Sequence, residues 1–203
     1  MGSETTTSEA IDIEALNTLA ELAVSLGASD AHVVPASAIS AEDHLAALCL
    51  ETRCENYGLS PTCPPNVEGP PWLREYMKEI ASVLFIKLDL PSDAMYSDER
   101  REIGKLLHFM VIQVEEAALA MGLAKSKAFA GGSCKNLFCH DKANCQVLYG
   151  DGSCRNPDSA RPSISGYGIN VNRLMKAAGW SNNSQKAQGG ATMSTRCGLV
   201  LLG

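Results

Sequence analysis

Seven of the eight cysteines fall into two groups. The first is Cys49-x4-Cys54-x8-Cys63, followed at once by Pro64-Pro65. The second is Cys134-x4-Cys139-x5-Cys145-x8-Cys154, with Pro157 shortly after. Both groups end on one phrase: Cys54 runs through Tyr57-Gly58 to Cys63, and Cys145 through Tyr149-Gly150 to Cys154. Thiolates are soft ligands that select zinc, copper(I) or iron–sulfur clusters. Zinc sites usually bring their ligands in close-spaced pairs, because a tight knuckle presents two sulfurs to one small ion. The gaps here are wider. A cubane is larger than an ion, and its irons sit at separate corners, so ligands spread over a wrapping loop suit it better. Proline after a ligand turns the chain away, and nearby glycines let backbone amides reach the sulfides.

Cys134, Cys139, Cys145 and Cys154 make a complete set for one [4Fe–4S] cluster. Cys49, Cys54 and Cys63 are only three, and three readings stay open for them. They could hold a second cluster, with an open iron or a fourth ligand such as His44. They could bind zinc with that fourth ligand. Or the two loops could meet and share one site. Cys197 lies in an apolar stretch and reads as a core residue. His32 and His108 read as structural, and His140, directly after Cys139, as a ligand or a neighbour of the ligands. There is no GxGxxG, Walker A or G-x-S-x-G pattern. Glu115-Glu116 and Asp98-Glu99 read as solvated helix faces. Arg155 and Arg161 flank Cys154, where they could neutralise an anionic cluster, bind backbone or dock an electron-transfer partner.

The rest of the composition sets the setting. With 203 residues and 45% hydrophobic content, the chain can bury a core without disulfide staples. The net charge is −6, with no basic run, which argues against nucleic acid as a partner. No apolar stretch is long enough to span a membrane. Met1 to Ala10 reads as a flexible tail without a secretory pattern, leaving residues 11–203 as one metal-binding domain. Eight cysteines without an export signal point to a reducing, cytoplasmic compartment rather than to a disulfide scaffold.

The elements that must carry these loops follow from periodicity. Ile11 to Leu26 predicts an amphipathic helix with Ile13, Leu16, Leu19, Ala20 and Ala23 inward. Asp30 to Ala36 predicts a short strand, and Ser40 to Ala47 a short helix leading into the first loop. Pro71 starts a helix over Trp72 to Ala81. Ser82 to Leu90 is the strongest strand, its Val83-Leu84-Phe85-Ile86 run implying burial on both faces. Ser97 to Met121 predicts the longest helix, capped by Ser97, with Leu106, Leu107, Met110, Val114, Ala117 and Met121 buried. Ser126 to Ala130 predicts a strand, Val171 to Ala178 a helix, Ser181 to Gly190 a polar loop, and Cys197 to Leu202 a last buried strand. Alternating helices and strands favour an α/β sandwich, with α+β as the variant: one sheet, flanking helices and two cysteine-rich loops.

At these residues the chain resembles a family of predicted metal-binding proteins, domain of unknown function 2284. The resemblance rests on Leu26-Gly27-Ala28 through Ala31 and Val34-Pro35; on Cys49, Cys54, Tyr57-Gly58 and Cys63-Pro64-Pro65-Asn66; on Gly131-Gly132-Ser133-Cys134, Cys139, Cys145 and Cys154-Arg155-Asn156-Pro157; and on Arg161-Pro162-Ser163 and Gly168-Ile169-Asn170-Val171. It covers about residues 12 to 203. Asn170 stands where the family often has an aspartate, and Ser165-Gly166 where an acidic pair is expected. The resemblance implies metal binding and no particular activity. Joined to the residue pattern, it gives an expectation: an iron–sulfur protein passing electrons to a partner enzyme. A zinc-stabilised interaction module and a redox enzyme with an open iron at the three-cysteine site are the rivals.

Overall fold

The computed structural model describes residues 12–150, 152–180 and 192–203. The predicted tail and the polar loop from Ser181 lie outside them. In chain order the elements are α1 (Ile13–Ser25), β1 (Asp30–Pro35), α2 (Asp43–Glu51), α3 (Gly69–Tyr76), β2 (Ser82–Pro91), α4 (Glu99–Ala120), β3 (Lys127–Ala130), α5 (Cys134–Phe138), α6 (Gln146–Tyr149), α7 (Val171–Ala177) and β4 (Met193–Leu202). The strands form one sheet in the order β1-β2-β4-β3. Every pairing is antiparallel, so the fold is α+β with helices on both faces of an open sheet.

β2 shows how the sequence builds the layers. Successive side chains point to opposite faces of a strand. Leu84 and Ile86 enter a core with Leu19 and Ala23 of α1 and Leu107, Met110, Val111 and Val114 of α4. Val83 and Phe85 enter the opposite core with Leu73 of α3, Tyr167, Ile169 and Leu174. From Lys87 onward the strand alternates. Leu88 and Leu90 stay buried while Lys87 and Asp89 pair with each other at 2.7 Å. Two residues of the predicted stripe in α4 point elsewhere: Leu106 is 40% and Met121 44% exposed. The buried face runs instead through Leu107, Met110, Val111, Val114 and Ala118, the i, i+3, i+4, i+7 rows around Leu107. Ile13 likewise lies outside the core at 73% exposure.

Several boundaries differ from the periodicity. α2 starts at Asp43 and continues to Glu51, so Cys49 is helical rather than part of a loop. α3 begins at Gly69, with Pro70 and Pro71 in its first turn, where missing N–H groups cost nothing. Ser97 does contribute at the start of α4, accepting from the Glu99 N–H at 3.2 Å, although Asp98 is the capping residue.

Two close approaches fix the cysteine segments on this frame. At Gly104 of α4 a Cβ would stand 2.5 Å from the Leu137 side chain, so glycine lets α5 dock there without displacing Leu137. Gly168 has φ +63, and a Cβ on it would lie 2.2 Å from the Glu42 carbonyl oxygen. That approach lets the Glu42 N–H donate to Gly168 O at 2.8 Å, tying the start of α2 to the segment after the second loop.

Candidate metal centre

The second cysteine group is built by two very short helices and the turns around them. Cys134 opens α5, and Cys139 follows its end. Cys145 caps α6, and Cys154 lies beyond it. Lys135 holds the turn between them by donating to the carbonyls of Cys139 (2.8 Å) and Lys142 (2.7 Å). Arg155 donates to the Asn144 carbonyl at 3.2 Å. Cys134, Cys139, Cys145 and Cys154 all line one cavity of about 310 Å³, walled also by Phe138, Val147 and Pro157. Cys134 is buried, Cys139 and Cys145 are half-buried, and Cys154 is exposed at the mouth.

Among the described residues, three hydrogen bonds in this region end on sulfur. The Thr62 hydroxyl donates to Cys134 Sγ at 3.0 Å. The Asn156 amide donates to Cys139 Sγ at 3.3 Å, and its backbone N–H to Cys154 Sγ at 3.3 Å. Such bonds favour thiolate over thiol and orient a ligand before it binds. The Cys134 thiol is nevertheless pushed above the usual range, first by burial and then by the nearby Cys63 and Cys145 thiolates; Thr62 and Ser60 oppose this. A cation placed among these sulfurs would remove that penalty, so binding would release protons.

The first group is arranged differently. Cys49 lies on the last turn of α2, and the Cys54 N–H donates to its carbonyl at 3.1 Å. The chain then turns back, with Gly58 N–H donating to Pro64 O at 2.8 Å. Cys63 is buried, Cys49 half-buried and Cys54 exposed. Burial, followed by the Cys54 and Cys63 charges, pushes the Cys49 thiol up, which marks the three as electrostatic neighbours. Cys63 is also a neighbour of Cys134, so the two groups adjoin. Among the described residues, no three His, Cys, Asp or Glu side chains converge tightly enough to hold a single ion.

The remaining candidates take structural positions. His44 pairs with Glu42 at 3.5 Å on the surface. His140 is exposed and outside the cavity lining. His32 packs edge-on against Trp180. Cys197 is half-buried on β4, its thiol pushed up to about 12, first by burial and then by Asp89. Asn170 caps α7 by accepting from Arg173 N–H and donates its amide to Glu42 at 2.8 Å, a donation an aspartate could not make. At Gly166 a Cβ would crowd Ser163 Oγ at 2.8 Å and Pro64 Cδ at 3.0 Å, so the position has no room for an acidic side chain.

One residue expected on a solvated helix face does more than that. Glu115 is not solvated: it is buried, pairs with Arg161 at 2.6 Å and accepts from the Ala128 N–H at 2.6 Å. Arg161 is thereby committed to α4 and is not free to dock a partner. His108, also fully buried, accepts from the Arg161 N–H at 3.3 Å and meets the Phe138 ring edge-on. Glu115 and His108 thus brace the segment leaving the second loop. No sequence signal connects α4 to Arg161, 46 residues on.

The sequence profile of the family described as predicted metal-binding protein (DUF2284) matches residues 32–202. The chain belongs to this family. That span holds both cysteine groups and all four strands except the first two residues of β1. No curated protein and no solved structure matches the chain. Family membership supports metal binding in general; the donor set adds that the ligands are soft. Four thiols around a cavity with apolar walls and sulfur-directed donors fit a soft metal better than a hard cation, which needs oxygen ligands. No helix among the described residues is long and apolar enough to cross a membrane.

Proposed function

We propose that this protein is an iron–sulfur protein that holds one [4Fe–4S] cluster on Cys134, Cys139, Cys145 and Cys154 and exchanges electrons with a partner enzyme in a reducing, cytoplasmic setting. The observation that carries the reading is the placement of all four thiols around one cavity of about 310 Å³. A zinc ion draws four donors to within about 2.3 Å of one point. Sulfurs standing around a larger volume suit a cube of iron and sulfide.

Bound there, a cluster would supply one-electron chemistry. The chain would supply the ligands, the hydrogen bonds from Thr62 and Asn156, and the apolar shelter of Phe138 and Val147. Cys154 and Arg155, at the exposed side, give an electron a short way out and an anionic cluster a positive neighbour. We read Cys49, Cys54 and Cys63 as a second thiol site that no fourth His, Cys, Asp or Glu completes among the described residues.

Serine replacement of the four cysteines, one at a time, tests the assignment. Each variant is expected to lose the broad absorption near ~400 nm that thiolate-bound clusters give, together with its iron. Full iron and sulfide in the Cys145→Ser or Cys139→Ser protein would refute the ligand set.

A further inference from the structure

We propose that Thr62, a residue of the first cysteine loop, is a positioning residue of the second site: its hydroxyl holds the Cys134 sulfur and raises the reduction potential of the group bound there. The inference rests on the cluster reading above and goes beyond it in naming what sets the potential.

The contact spans 72 residues of sequence, and its 3.0 Å length is that of a good hydrogen bond to sulfur. It is held from several sides. Thr62 O accepts from the Ser163 N–H at 3.0 Å, which fixes the backbone beneath the hydroxyl. Asn66 donates to Ser60 O at 3.0 Å, closing the loop two residues earlier. The Ser60 hydroxyl, fully buried, lies 3.1 Å from Thr62 Oγ1. With the Thr62 proton committed to sulfur, Ser60 is the donor in that second bond. The chain Ser60–Thr62–Cys134 then polarises in one direction, each bond strengthening the next.

The direction of the effect follows from charge. Adding an electron makes a cluster and its sulfurs more negative. A hydroxyl aimed at a ligand sulfur stabilises that state more than the oxidised one, so it raises the potential. Thr62 lines the cavity wall beside Cys134, where water would otherwise compete for the same lone pair. The first loop therefore reaches the second site through a hydroxyl at Cys134 Sγ, in addition to the nearby Cys63.

The test is a redox titration of the full chain, purified anaerobically, as wild type, Thr62→Val and Thr62→Ser. Valine keeps the shape and removes the donor; serine keeps the donor. Thr62→Val is expected to carry wild-type iron and sulfide with its midpoint shifted downward, and Thr62→Ser to stay at the wild-type midpoint. An unchanged midpoint in Thr62→Val overturns the proposal, as does an equal shift in both variants, which would trace to packing. Should Thr62→Val not load, Ser60→Ala decides. A smaller downward shift supports the hydroxyl chain, and no shift rejects it. Wild-type protein without iron and sulfide sinks the cluster reading and this inference together. A loaded wild type with an unresponsive Thr62→Val sinks the inference alone.

Discussion

The two cysteine loops share a sequence phrase but not a structure. In the first, Gly58 has φ +75 and its N–H closes a turn onto Pro64. In the second, Gly150 has φ −125 and follows the single turn of α6, with its N–H bonded to Gln146 O. Tyr57 is half-buried, whereas Tyr149 is 66% exposed. Four thiols of the second loop surround one cavity and three of those sulfurs accept hydrogen bonds. In the first loop, beside it, Cys49 has both Cys54 and Cys63 as electrostatic neighbours. A repeated spacing of cysteine, tyrosine and glycine therefore marks two thiol sites without making them equivalent. The two loops also differ in what the surrounding elements add: α4 braces the second loop, while the first hangs between α2 and α3.

The largest expected effect separates the loops directly. Cys134→Ser is expected to abolish cluster absorption, while Cys49→Ser leaves the second-loop signal in place; absorption and iron analysis of both variants decide it. Equal loss in both would mean one shared site. Next comes the brace. Glu115→Ala leaves the half-buried Arg161 guanidinium without its partner and the Ala128 N–H unsatisfied. Breaking a fully buried pair costs about 3–5 kcal/mol, so this partly buried one is expected to fall toward the low end of that range, read as a lower urea midpoint. A loss under about 1 kcal/mol, the worth of a surface pair, would show that the brace is ornamental.

Acid probes the same contact from the other side. Burial, with Arg161 and Arg196 adding to it and the Ser159 backbone opposing, lowers the His108 pKa from 6.5 to about 4. The unfolded chain thus takes up this proton first as pH falls. Stability contributed by neutral His108 is intact above about 6.5, drains between 6.5 and about 4, and levels off below. The loss is roughly 3 kcal/mol, checked by unfolding at a series of pH values with His108→Phe as the flat control. The smallest effect is expected at the exposed end of the first loop. Cys54→Ser should change stability by less than about 0.5 kcal/mol in metal-free protein.

Much of the frame was legible because its periods are long. β2 and α7 lie within a residue or two of where alternation and helical spacing put them, and the run Val83 to Ile86 is buried on both faces as its apolar character requires. The antiparallel pairing was not legible, since alternating helices and strands do not state strand direction. α5 and α6 were missed because five and four residues complete barely one turn and show no period. The start of β4 was missed because Met193 to Arg196 pairs with β2 outside the apolar core. At the site, the four cysteines of the second group, grouped by their spacing, are among the residues that line one cavity. The residues that support them, Thr62, Glu115 and His108, carry no local signal: each acts on a partner tens of residues away.

The most direct test of the central claim is the iron and acid-labile sulfide content of protein purified without air. The account predicts about four irons and four sulfides on the second loop, lost together in Cys134→Ser, with any further metal traced to Cys49, Cys54 and Cys63. Stoichiometric zinc without sulfide, in a colourless protein, would contradict it.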